Sequence, residues 1–146
     1  MRSTRCARIG SSLAVPSGLL YLDASAIVKL IQVERESMSL RQALDRWSHQ
    51  VTSVIGEVEL RRAALRAGFV DEANDVLDEL SVIELDEPVR VLAGRVGSSL
   101  LRASDAIHLA SALSLGDDLG GFCCYDRRLL TEAAAAGLTV LSPGLD

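Results

Sequence analysis

The sequence predicts a three-layer α/β fold, a mainly parallel central sheet with helices on both faces. Three observations predict it. Short apolar runs alternate with stretches of helical periodicity along the chain. Runs such as LLYL (19–22) and GFCCY (121–125) are apolar throughout, as strands covered on both faces are. The 146 residues contain no repeat and no internal linker, which suits one domain with a real core.

The elements follow in order. The first strand is expected over 19–23, where LLYL runs into Asp23, and a helix over 24–32. A second helix covers 35–48, with Leu40, Leu44 and Trp47 at helical spacing. QVTSV (50–54) reads as strand and 55–68 as helix, stopped by Gly68. A helix over 70–80 leads to the strand SVIEL (81–85). Pro88 suits the first turn of a helix over 87–97. Ser104 is the expected N-cap of a helix over 105–116. GFCCY then forms a strand over 121–125, followed by a helix over 126–137 and a last strand, LTVL (138–141). Residues 1–18 are expected to be a flexible tail preceding a domain of 19–146.

Composition narrows the function classes. Hydrophobic residues make up 49%, against disorder. Aromatics are 3%, so aliphatic side chains and alanine must fill the core. Net charge is −5, so no overall basic field marks a nucleic-acid binder, although arginines cluster locally. Cys6, Cys123 and Cys124 are odd in number, two of them adjacent, as in a reduced cytoplasmic protein. With no CxxC and only His49 and His108, a structural zinc site is not expected. Arg2, Arg5 and Arg8 precede an uncharged stretch in the manner of an export signal, but Ser11, Ser12, Pro16, Ser17 and Gly18 interrupt it. No run approaches a membrane span.

In such folds ligands gather at the carboxyl ends of the strands. Asp23 stands there, where a carboxylate gains nothing from burial and costs several kcal/mol if desolvated unpaired. Asp126 follows the strand GFCCY, Asp105 opens a helix, and Glu59 lies about one turn into another. Successive members are 36, 46 and 21 residues apart, so only the fold can assemble them. Each has a plain alternative: a helix cap for Asp23 and Asp126, a first-turn acid for Asp105, a partner of Arg62 or Arg66 for Glu59. If they converge, two carboxylates 4 Å apart repel by about 4 kcal/mol at an effective dielectric near 20, and a cation is needed. Oxygen-only ligands favour a hard ion, Mg²⁺ or Mn²⁺, and with it phosphoryl-ester hydrolysis by a metal-activated water.

The stretches LLYLDASAIVKL, TSVIGEVELRRA, LRASDAIHLASAL and CCYDRRLLTEAAAAGLTVL resemble, in order, the four signature blocks of PIN-domain ribonucleases. The likeness is closest to the VapC toxins of bacterial toxin–antitoxin pairs and covers nearly everything after residue 18. It implies a three-layer PIN-like fold and an Mg²⁺-dependent endoribonuclease, with Mn²⁺ as substitute. Asp23, Glu59, Asp105 and Asp126 would be its catalytic and metal-binding acids. It further implies RNA as substrate, a VapB-like antitoxin and a homodimer. Ser25 resembles the family's small hydroxyl residue that supports the first aspartate. Cys124 stands where the family often has Thr or Ser, and a thiol is expected to order Asp126 less well.

Neighbouring residues carry competing roles. Glu57 and Glu59 point about 200° apart on a helix, and the motif favours Glu59. His108, on the face of Asp105, is expected to orient that carboxylate, touch RNA or simply pack. Arg61, Arg62, Arg66, Arg102, Arg127 and Arg128 are candidates for contact with RNA or antitoxin, or for an ordinary solvated surface. A haloacid-type phosphatase would carry a second Asp where Ser25 stands, and the single Lys29 cannot serve a receiver domain. The rival from another class is a non-catalytic PIN-like module that retains antitoxin or RNA binding.

Overall fold

The computed structural model describes residues 16–145. Among these, five strands form one wholly parallel sheet: β1 (Leu19–Leu22), β2 (Gln50–Ser53), β3 (Ser81–Ile83), β4 (Leu119–Cys123) and β5 (Val140–Leu141). Their order is β3-β2-β1-β4-β5. The chain therefore steps outward from β1 to β3, then returns to the other side of β1. That reversal puts the topological switch point between β1 and β4, where open parallel sheets bind ligands.

Among the described residues seven α-helices accompany the sheet: α1 (Ala24–Val28), α2 (Ser37–Leu44), α3 (Val54–Ala67), α4 (Val70–Asp78), α5 (Glu87–Ala93), α6 (Ala103–Leu113) and α7 (Arg127–Ala135). The β1 side chains alternate between two cores. Leu20 and Leu22 join Ala26, Ile27, Leu40, Leu60, Ala64 and Ala73, from α1 to α4. Tyr21 joins Leu109, Ala112, Phe122, Leu129 and Ala133, from β4, α6 and α7. The period-two alternation of a strand thus creates the three layers.

The expected order of elements is found, with several boundaries displaced. Asp23 and Asp126 lie outside the regular segments and cap α1 and α7, while Ser53 ends β2 and caps α3. The first helix stops at Val28 instead of 32, and the Lys29 carbonyl accepts a hydrogen bond from Ser37 Oγ (2.8 Å). The second is Ser37–Leu44, so Trp47 is buried beyond its end. Ser104 is not the N-cap expected of it: α6 begins at Ala103, with Arg102 in the cap position and no side-chain cap bond. β4 starts two residues before 121, taking in Leu119 and Gly120, and ends at Cys123 instead of 125. At Gly120 a side chain would collide with the Ser17 carbonyl, so a residue that reads as a turn signal is here a strand position under close backbone approach. Of the expected tail, residues 1–15 lie outside the described residues.

Phe122 is fully buried, its ring stacked on Tyr21 at 5.3 Å between centroids with 2° between planes. Phe122→Ala should lower the unfolding free energy by about 3–5 kcal/mol in a urea titration, while Val33→Ala, at a site 89% exposed, should stay within about 0.5 kcal/mol.

Candidate active site at the carboxyl edge of the sheet

Asp23 leaves β1 in an extended conformation (φ −80°, ψ 178°) and caps α1. Its Oδ1 accepts from the Ala26 amide (3.0 Å) and from Ser25 Oγ (2.7 Å). Its own amide donates to the Cys123 carbonyl at the end of β4 (3.2 Å). The residue is only 3% exposed. Burial pushes its carboxyl pKa up, against the opposing pull of His108, Ser25 and Cys124. Among the described residues no Lys or Arg pairs with it to offset the desolvation.

Ser25 connects the two sides of the switch point. Besides donating to Asp23, its Oγ accepts from the Tyr125 amide at 2.9 Å. This holds the segment that carries Asp126. Asp126 Oδ1 in turn accepts from the amides of Arg128 (2.9 Å) and Leu129 (3.3 Å) at the start of α7. Cys124 does contribute order here: the Asp126 amide donates to its sulfur (3.3 Å), and the thiol lies 3.5 Å from the Asp126 carbonyl. Burial first, then Asp23, pushes the Cys124 thiol pKa far up, so the sulfur stays a neutral thiol beside the acids.

Asp105 lies in the first turn of α6. Its pKa is raised by burial and next by the Asp126 carboxylate, with Glu59 acting in the same direction. Arg102, 3.9 Å away, and His108 oppose the rise. The acids from α3 and the β4–α7 junction therefore both act on Asp105 through space.

Glu59 takes the inward position on α3, its Oε1 2.7 Å from His108 Nε2. Glu57 pairs instead with Arg61 (2.9 Å), which also donates to Asn74 Oδ1 (2.9 Å). Arg61 is thus committed to joining α3 to α4. His108 binds Glu59 rather than Asp105. It is 2% exposed, and its Nδ1 lies 2.8 Å from Tyr21 Oη. Tyr21 and Ser53, joined at 2.9 Å, belong to this network and were missed in the sequence. Tyr21 reads there as an apolar strand residue, and only its phenolic oxygen, which needs a partner when buried, signals otherwise.

Arginines line the hollows on this edge. Arg62 and Arg66 flank one that reaches Glu59, Ser25 and Tyr125. Its wall includes Lys29, held by Glu34 (2.7 Å) and Glu36 (2.9 Å) above the Tyr125 ring. Arg102 and Arg128 line a second, which reaches Asp105. Arg127 is exposed at the start of α7.

Among the described residues no three acidic, His or Cys side chains are gathered tightly enough to form a finished metal cage. The donor set nevertheless fits a hard cation. It is all oxygen, and protein bonds to Asp23, Asp126 and Glu59 converge on one carboxylate oxygen of each. Mg²⁺ is commonly held by one or two carboxylates with several waters, so a loose set suffices.

Comparison with known proteins agrees with the fold. A family model described as PIN domain matches residues 20–130. Ribonuclease VapC47 of Mycobacterium tuberculosis (strain CDC 1551 / Oshkosh) is 40% identical over 133 residues, covering 86% of this chain and 98% of that protein. Ribonuclease VapC46 of Mycobacterium tuberculosis (strain ATCC 25618 / H37Rv) is 40% identical over 126 residues, covering 85% and 97%. Among solved structures, that of FitAB bound to an IR36 DNA fragment matches with a TM-score of 0.70 at 16% identity, over 87% of this chain and 96% of that one. A toxin–antitoxin complex from Klebsiella pneumoniae matches at 0.66 and 20% identity, over 85% and 97%. The chain belongs to the PIN-domain family. Within that family it is VapC-like.

The buried acid has a consequence for stability. Folding raises the pKa of Asp23 above its ordinary value of 3.8, so above that pH the folded chain binds a proton more tightly than the unfolded one. Stability therefore falls as pH rises from 3.8 through the folded value, and the ionised group is a net cost at neutral pH. In EDTA at about pH 7.5, Asp23→Asn should melt higher than the wild type, and the gap should narrow as the pH is lowered toward about 4. Equal melting temperatures at both ends of that range would show that Asp23 is not destabilising when charged.

Proposed function

We propose that the chain is an Mg²⁺-dependent endoribonuclease toxin of a type II toxin–antitoxin pair, with Mn²⁺ able to replace Mg²⁺. The observation that carries this reading is the gathering of acids at the carboxyl edge of the sheet: burial, then Asp126 and Glu59, drive Asp105 toward its neutral form, and Asp23 is buried at the end of β1 with no Lys or Arg partner among the described residues. Such a set is poorly stable without a cation and becomes favourable with one. The curated relatives named as ribonucleases, similar over nearly their whole length, support the choice of reaction.

In this reading Asp23, Glu59, Asp105 and Asp126 hold the ion. A bound divalent cation supplies Lewis acidity toward a phosphodiester and makes water a nucleophile near neutral pH. The chain's own residues provide the rest. Asp23 stands just beyond the central strand, its carboxylate oriented by Ser25 and the Ala26 amide. Asp126 is oriented by the first turn of α7 and through Cys124. Arg62, Arg66, Arg102 and Arg128, in hollows that reach Glu59 and Asp105, offer phosphate contacts on either flank of an RNA strand. A net charge of −5 then matters little, because these arginines present a local basic surface.

The partner proposed is a VapB-like antitoxin whose acidic or extended segment covers the same edge, with the toxin itself a homodimer in the cytoplasm. The solved toxin–antitoxin complex from Klebsiella pneumoniae shares this fold, which supports that assignment. Among the described residues no helix is long and apolar enough to cross a membrane.

The purified wild type should cleave single-stranded RNA in Mg²⁺ or Mn²⁺ and lose that activity in EDTA. Asp23→Ala and Glu59→Gln should each lower the rate by about 10²-fold or more, with Glu57→Gln near wild type. Expressed alone, the wild type should arrest bacterial growth and Asp23→Ala should not. Equal arrest by both would shift the reading to a non-catalytic module that acts by binding.

A further inference from the structure

Glu59 is the acid that most needs help to stay in place. It extends from the middle of α3 on a flexible side chain about one-third exposed, whereas Asp23 and Asp126 are short and fixed by backbone amides. Ordering such a side chain costs rotamer entropy. A chain of buried groups meets it. His108 Nε2 lies 2.7 Å from Glu59 Oε1. A carboxylate only accepts, so Nε2 carries the proton and donates. On the far side of the ring, Nδ1 lies 2.8 Å from Tyr21 Oη, and Tyr21 is wholly buried. Tyr21 Oη in turn shares a hydrogen bond with Ser53 Oγ at 2.9 Å. Ser53 Oγ accepts from the Gly56 amide at 3.3 Å and so caps α3, the helix that bears Glu59. The circuit closes on the element from which it started.

The packing around this circuit leaves the imidazole little freedom. Its ring meets Tyr21 edge-on, with centroids 5.9 Å apart and planes at 77°. Tyr21 is itself clamped by its stack on Phe122. Gly56 provides the space: a Cβ there would run into Thr52 Oγ1 and lie 3.3 Å from His108 Cε1. Four elements, β1, β2, α3 and α6, therefore meet in one set of hydrogen bonds whose exposed end is a carboxylate facing the acids.

We infer that Tyr21 and His108 are positioning residues that hold Glu59 in the geometry needed to bind a divalent cation. Hydrogen bonds to ligating carboxylates commonly govern metal affinity by about 10–100-fold. The inference rests on the metal-site reading above, and adds that this site's affinity is set partly from inside the α3–α6 seam.

The test measures Mn²⁺ affinity directly, from the electron paramagnetic resonance signal of the free ion. Wild type, Tyr21→Phe, His108→Gln and His108→Leu are compared, each also in a Glu59→Gln background. His108→Leu should weaken binding about 10-fold or more, and Tyr21→Phe should weaken it less, in the same direction. His108→Gln, which keeps a donor near the Nε2 position, should recover part of the loss. In the Glu59→Gln background none of these substitutions should change the residual affinity, which a merely structural role would not produce. Tyr21→Phe keeps the ring stack, so the test survives if His108→Leu fails to fold. Unchanged affinity in Tyr21→Phe and His108→Gln, or equal losses with and without Glu59, overturns the inference while leaving the metal site standing. A wild type that takes up no Mn²⁺ overturns both.

Discussion

A carboxylate buried at the end of the central strand is the constraint around which the rest of the molecule is arranged. Asp23 is held by one backbone amide of α1 and one hydroxyl, and the same hydroxyl takes the amide of Tyr125 beyond β4. The strands on either side of the switch point are thereby locked together at the place where Asp126 emerges. Burial of a charge without a cationic partner is unfavourable, and Asp23 is accordingly pushed toward its neutral form. A fold can carry that cost only if its other layers are well made.

They are. Each residue of β1 faces one of two apolar layers, and the fully buried side chains include Leu20, Leu22, Ile27, Leu40 and Leu60 on one side and Phe122, Leu109 and Leu129 on the other. With few aromatics available, the Tyr21–Phe122 stack occupies the middle of the second layer. Its position there has a chemical consequence, because the Tyr21 hydroxyl carries a polar chain from Ser53 to His108 through an otherwise apolar region. Polar groups in such surroundings are tolerated when every member is bonded, and this chain reaches the edge of the sheet at Glu59.

The arginines divide along the same lines. Arg61 is spent on Glu57 and Asn74, and so joins α3 to α4. Arg62 and Arg66, about one and two turns beyond Glu59, line the hollow beside it. Helical periodicity alone separates a structural arginine from two that face the acids, although Arg61 and Arg62 are adjacent in sequence. The same periodicity sends Glu57 outward and Glu59 inward.

The sequence by itself determined the layers and the acids. Strands without polar alternation require cover on both faces, and strands that alternate with helices require a parallel sheet, so the architecture follows from local pattern. Asp23, Asp105 and Asp126 were legible because a charged residue at the end of an apolar strand or the start of a helix stands out against its neighbours. Tertiary structure decided what local pattern cannot contain. The reach of β4 back to Leu119 depends on a segment distant in sequence, because Leu119 pairs with Leu19 and Gly120 lies against Ser17. The partner of His108 is the clearest case. Spacing on its own helix points to Asp105, three residues away, yet the ring turns to Glu59, 49 residues away, and to Tyr21, 87 residues away. A hydrogen bond is decided by which acceptor the packed ring can reach, and only the crossing of α3, α6 and β1 determines that.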